Sequence, residues 1–281
     1  MVNRRLFVNR LALAAAGLGL CKPSARAAGR RKLARVGAQL YTVRRELEKD
    51  FEGTLQKVAA LGYKEVEFTS YFGRKPEEVK AVLRRLKLDA PSAHMSLAEL
   101  RGDLGARLDA AHVVGHKYLL LAWLPPEERR TLEQYRRLAD LCNEAGARLR
   151  REGFTFAYHN HDFEFAPVEG RVPYDLLLER TDPHVVKLEM DLYWTAKGGA
   201  NPSEYFKRQP GRFHLLHLKD MDATPRRFFA DVGKGTIDFR SIFAESDQAG
   251  VRHYFVENDE PAGSPFESLR ASLEYLRRLE F

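Results

Sequence analysis

The stretch FAYHNHDFEF, residues 156–165, sets His159 and His161 two positions apart, with Asp162 and Glu164 close behind. Taken alone it fits metal ligation, acid/base work, or an aromatic strand that contains imidazoles. The rest of the chain narrows the choice. Asp191, His217, Lys219 and Glu257 come after it, and Glu67 and His94 precede it. His159, His217, Asp191 and Glu257 form a mixed nitrogen and oxygen set. Such a set suits one divalent ion, whether Mn, Co, Zn, Fe or Mg, and leaves positions open for substrate oxygens. An ion held this way polarises a carbonyl.

These residues act together only if the fold brings them together. From Leu33 onward, short β-like runs alternate with amphipathic helical runs. Strands are expected at 35–41, 63–68, 88–94, 117–123, 154–161, 185–191, 213–219 and 251–257. Helices are expected at 46–61, 76–87, 97–113, 127–151, 174–180, 202–207, 238–248 and 266–279. Eight strand–helix units in this length predict an α/β fold, a single-domain (β/α)8 TIM barrel. An open doubly wound sheet fits less well, because no glycine-rich phosphate turn comes after the first strand. The glycines of 232–239 lack phosphate-loop spacing and read as a turn into a helix near Asp238.

Side-chain parity points the chemistry inward. Alternate strand residues face opposite sides. Val186, Leu188 and Met190 then face the helices, while Lys187, Glu189 and Asp191 face the barrel interior. The same rule sends His159 and His161 inward, and likewise His217 with Lys219. Charged groups inside a barrel are costly unless paired or metal-bound. Several of them fall late in their strands, at the end where barrel sites form.

Seven motifs occur in a shared order: GAQLYTVR (37–44), SAH (92–94), HNH (159–161), EMD (189–191), HLKD (217–220), VGKGTIDF (232–239) and VE (256–257). Across 33–280 the chain resembles the sugar phosphate isomerase/epimerase family, with its xylose isomerase-like TIM barrel. The resemblance implies metal ligands at Asp191, His217 and Glu257. The fourth family ligand is a fifth-strand glutamate, where this chain has His159. That departure removes one of the two carboxylate bases which the family's epimerases place across the substrate.

The resemblance implies catalytic work for His161, Glu257, His94 and Lys219, with His159 and His161 able to exchange roles. Glu67, Trp123 and Trp194 are expected to bind a carbohydrate. The reaction expected first is isomerisation or epimerisation of a keto or aldo sugar, by proton abstraction next to its carbonyl. The alternative is a lyase or dehydratase that eliminates from a keto-sugar, keto-glycoside or inosose-like substrate. A non-catalytic exported sugar-binding protein ranks below both.

Composition bears on location and partners. Of the 46 basic residues, five lie in 1–27, which contains no acids; 41 then face 39 acidic residues in the remainder. A mature chain so close to neutral argues against nucleic-acid binding. Arg4 and Arg5, the apolar run 11–20 and a small-residue cleavage site near Ala27 have the layout of a twin-arginine signal. Residues 1–27 are thus expected to engage the twin-arginine export machinery. Residues 28–281 are expected to form the barrel, in a periplasmic or otherwise exported protein. Cys142 has no partner outside that leader, so stability must come from a core.

Overall fold

A computed structural model describes residues 30–281. The expected signal segment lies outside the described residues. Residues 31–281 form a compact unit. Its eight parallel strands are β1 (Gly37–Gln39), β2 (Glu65–Phe68), β3 (Asp89–Met95), β4 (Tyr118–Leu121), β5 (Thr155–His159), β6 (Val186–Asp191), β7 (Phe213–Leu218) and β8 (His253–Val256). They pair in chain order, and β8 closes on β1 to complete the barrel. The expected (β/α)8 architecture is observed.

The helices form where the sequence supplies both a start signal and an apolar stripe. Leu132–Arg151 is the longest, opened by a reciprocal capping box between Thr131 and Gln134. It buries Tyr135, Leu138, Cys142, Ala145 and Leu149, the three-to-four spacing of one helical face. Proline stands in the first turn of the helices Pro76–Leu86, Pro173–Arg180 and Pro265–Arg278.

Some expected elements are divided, and two short ones carry no sequence signal. The run 97–113 is two helices, Leu97–Arg101 and Gly105–Val114, because the chain turns at Gly102. The run 238–248 likewise breaks into Phe239–Ala244 and Ser246–Ala249. A short helix, Leu192–Lys197, comes directly after β6, and Asp220–Met221 pairs with Phe229–Ala230 in a small antiparallel ribbon. Both are too short to show a periodic pattern.

Inside the barrel, Tyr118, Leu120, Ala157, Leu215 and Phe255 make a separate apolar cluster. A polar layer lies above it, toward the C-terminal ends of the strands. Strand register aligns that layer: Gln39 pairs with Glu67, His159 with Glu189, and Asp191 with His217. Gly37 keeps the barrel centre clear, since a Cβ there would stand 2.4 Å from the Phe255 ring.

Gly146 sets how closely the long helix approaches β6. A Cβ on it would stand 2.5 Å from the backbone oxygen of Val185. Backbone cannot yield as a side chain can, so Gly146→Ala is expected to destabilise the fold by about 1–3 kcal/mol. Denaturant unfolding measures this, and an unchanged midpoint would contradict the close contact.

Candidate active site

The floor of the site is built on Glu67, which is fully buried at the end of β2. Its Oε1 accepts from Gln39 Nε2 at 2.6 Å and lies 2.9 Å from His94 Nε2 and 2.7 Å from His217 Nε2. Its Oε2 accepts from Ser92 Oγ at 2.5 Å. Burial works to raise this carboxyl's pKa, but the His94 and His217 imidazoles outweigh burial and hold it well below the usual range.

Glu189 is the second floor carboxylate, also fully buried. Its Oε2 lies 2.9 Å from His159 Nδ1 and 3.1 Å from His217 Nε2. These two carboxylates orient the imidazoles above them. With Nε2–H given to the floor, His217 turns Nδ1 toward Glu257 Oε2 at 3.0 Å and Asp191 Oδ2 at 3.9 Å. His159 gives Nδ1–H to Glu189, which leaves Nε2 to face the site. This is the carboxylate–imidazole arrangement that fixes tautomers beneath a metal.

Asp191 has two tasks, one per oxygen. Its Oδ1 accepts from Trp194 N at 2.9 Å and caps the helix Leu192–Lys197. Its Oδ2 turns into the site. Lys219, on the inward face past β7, converges there with Nζ 3.0 Å from Asp191, 2.7 Å from Glu257 and 2.7 Å from Asp259.

The ligand donors fit a divalent ion. His94, His159, Glu189 and His217 offer atoms within 4.8 Å of one another, and so do Asp191, His217 and Glu257. One of these carboxylates, Glu189, keeps a buried oxygen, Oε1, with no hydrogen-bond partner, while Asp191 Oδ2 faces the Lys219 ammonium at 3.0 Å. A buried acceptor without a donor is one that a cation can satisfy. Of the four expected ligands, Asp191, His217 and Glu257 fall in one group, while His159 falls in the other beside Glu189, and His217 is common to both.

The imidazoles fall into two protonation classes. Burial opposes charge on His94, but Glu67 and Glu189 overcome it and raise its pKa to about 9. His217 is pushed up too, because Glu189, Glu257 and Glu67 outweigh burial. His161 goes the other way, to about 3, through burial and then the neighbouring Lys219 charge. Its Nδ1 is buried without a partner. Burial also lowers His159. At neutral pH the site thus pairs neutral with cationic imidazoles.

A pocket of about 770 Å³ opens above this layer, with His94, His159, His161, His217, Lys219 and Glu257 on its deep wall. Trp123 lines its outer part and is 48 % exposed. Two residues expected at the substrate, Glu67 and Trp194, are not among those that line the pocket. Glu67 lies under the pocket and does not reach its wall, since both its oxygens are engaged in the floor. Trp194 is half-buried behind the site, its ring 5.4 Å from His161 and 5.5 Å from Lys219 Nζ.

Sequence reasoning missed other residues. Gln39, Ser92 and Glu189 share the inward parity but carry no signal of depth. Asp259 stands two past Glu257 and completes the cage around Lys219. Glu164 lies outside the pocket and holds the His-Asn-His turn in place: its Oε1 accepts from Tyr158 Oη at 2.5 Å, and its Oε2 from His161 N at 2.8 Å.

A model of the xylose isomerase-like TIM barrel family matches residues 55–279. The chain belongs to that family. An inosose dehydratase from Geobacillus kaustophilus is 28% identical over 266 residues, covering 80% of this chain and 86% of the relative. The crystal structure of a sugar phosphate isomerase/epimerase from Parabacteroides distasonis is 27% identical, with TM-score 0.76, covering 87% of this chain and 98% of that one. The crystal structure of the IOLI protein with a bound zinc atom has TM-score 0.66 at 15% identity, covering 85% of this chain and 95% of that one; it shows the shared fold. The chain is thus an enzyme-family barrel of the xylose isomerase-like superfamily, with a donor set that fits a divalent metal.

Glu67→Gln should weaken binding of added divalent metal about 10–100-fold while leaving the fold intact, as loss of an orienting carboxylate does. In the wild-type protein, affinity should rise with pH by about tenfold per unit, because the ion must displace the His217 proton. Calorimetric titration checks both; equal affinity in the variant would contradict the floor's role.

Burial raises the Glu164 pKa from 4.5 to about 7. An acid raised on folding favours the folded state at low pH, and that contribution falls as pH climbs from 4.5 through about 7. Glu164→Gln should therefore lessen the loss of stability between those limits. An unchanged pH slope in denaturant unfolding would contradict it.

Proposed function

We propose that this chain is a divalent-metal-dependent lyase or dehydratase acting on a keto-sugar. The observation that carries this reading is the asymmetry of the pocket. Of its wall-lining carboxylates, Glu257 and Asp259 stand on the β8 side around Lys219, and Glu99, past β3, is engaged with Ser96 in the capping box of the helix Leu97–Arg101. The facing wall, past β5, offers His159 and His161. Glu189, the carboxylate nearest β5, is committed to the floor. Twin carboxylates across a substrate are therefore missing, and with them the ordinary two-base route to epimerisation.

His159, Asp191, His217 and Glu257 would hold the metal, which when bound polarises the carbonyl and makes the adjacent C–H acidic. The protein's own groups sort by charge state. Neutral His161 is the base that takes the proton next to the carbonyl. Lys219 and His94 are cationic donors, suited to a developing oxyanion and to a departing oxygen. Two groups pushed to opposite protonation states mark the acid and the base. As the C–O bond breaks, the leaving oxygen takes a proton from a donor, and water or an alcohol departs.

The dehydratase name of the Geobacillus kaustophilus relative supports this ranking. Isomerisation or epimerisation, the reaction expected first from sequence, is the second reading; the name of the Parabacteroides distasonis structure favours it. In that case His161 and a donor on the opposite wall would exchange the proton, and the carbon skeleton and its substituents would be retained. Export by the twin-arginine route through residues 1–27, with the metal site assembled before transport, is part of the same proposal.

Metal-loaded protein incubated with keto-sugars in deuterated water and followed by NMR separates these outcomes. Elimination predicts release of water or alcohol and an unsaturated ketone product. Solvent deuterium in an intact isomer would favour the second reading. No exchange in any keto-sugar would overturn both.

A further inference from the structure

The pocket is larger than its charged end requires, and its two ends differ in chemistry. The deep end carries the imidazoles, Lys219 and Glu257. The outer part is lined by Met95, Leu97, Ala98, Ala122, Trp123 and Pro125, with Ser96 and Glu99 among them. Tyr41 lines it as well, with the hydroxyl residues Thr69 and Ser70. Among the described residues, three large apolar side chains are exposed: Tyr41 at 39 %, Val113 at 36 % and Trp123 at 48 %. Two of the three line this one pocket.

An exposed indole forgoes the stabilisation that burial would bring. Exposed apolar surface gathered in a concavity marks a ligand site. Both rings are braced. The Arg44 guanidinium lies 3.9 Å over Tyr41 and donates to the backbone oxygens of Tyr41 and Asp259, each at 2.9 Å. Arg129 lies 3.5 Å over Phe163 and 5.8 Å from the Trp123 ring, while Phe163 stacks on His161 at 5.4 Å. A run of planar groups thus leads from Trp123 at the mouth to the imidazole at the deep end.

We propose that Trp123 and Tyr41 form an outer subsite for a second ring, so that the substrate is a two-ring glycoside. The deep end takes the sugar that reacts. The outer end takes the ring joined to it, whose flat apolar face stacks on the aromatic side chains. Thr69 and Ser70 stand among those side chains as partners for ring hydroxyls. A single sugar ring would leave the apolar wall uncovered. This inference rests on the sugar-enzyme reading above and names its substrate class; under elimination, the second ring leaves as the alcohol.

Ligand-observed NMR titration of the full protein, with metal added, tests it. The probes are methyl β-glucoside for one ring, cellobiose for two sugar rings, and phenyl β-glucoside for an aromatic second ring. At least one two-ring probe should bind about tenfold more tightly than the methyl glucoside. Trp123→Ala should erase that difference and leave the methyl glucoside unaffected; Trp123→Phe should keep most of it. Trp123 is exposed, so these variants should fold normally. A tighter cellobiose identifies a sugar-binding subsite, and a tighter phenyl glucoside identifies an aryl-binding one. Equal binding of all three probes, or an advantage that survives Trp123→Ala, overturns the subsite and leaves the metalloenzyme reading standing. Binding of none overturns the subsite, while the keto-sugar reading, whose ketone these probes lack, rests on the deuterium experiment above.

Discussion

The contact between Glu67 and His217 joins β2 to β7 through the middle of the barrel, between residues 150 apart in the chain. Both are fully buried. A carboxylate in such a place is unfavourable without opposite charge and hydrogen bonds around it. The fold meets that demand with Gln39, Ser92 and two imidazoles, drawn from three different strands. Only a closed barrel can gather donors from β1, β3 and β7 onto one acceptor. The electrostatic requirement and the topology therefore support each other.

The floor in turn sets orientation. Glu67 and Glu189 face the imidazoles from below, so the remaining ring nitrogens of His159 and His217 turn upward. Asp191 and Glu257 meet them from the strand ends. Lys219 neutralises the carboxylates on that side and depresses the basicity of His161 on the other. A single set of buried charges thus orients the imidazoles and separates their protonation states. The apolar cluster below keeps water out of the barrel centre, which strengthens each of these interactions.

Much of this was legible in the chain. Alternation of strand and helix signals carried the barrel, and parity carried the inward direction of His159, Asp191, His217 and Lys219. Depth was not legible. Glu67 and Glu189 have the same parity as residues of the pocket wall, and only the cross-barrel register tells floor from mouth. Glu164 looked like part of the histidine cluster, yet the turn after β5 sends it back onto Tyr158. Trp123 and Trp194 are alike in sequence; their different exposure comes from the short helix after β6, which was too brief to read. The departure at position 159 was readable, and it is the feature that shifts the proposed chemistry away from paired carboxylates.

Under the proposed function, this carboxylate floor prepares one metal position at the strand ends. Anomalous diffraction from crystals of the metal-loaded protein tests it most directly. A single strong peak is expected among His159, Asp191, His217 and Glu257, with the Nδ1 atom of His217 as the ligand and its Nε2 still on Glu67. A peak bound through Nε2 of His217, or a metal seated outside this cluster, would contradict it.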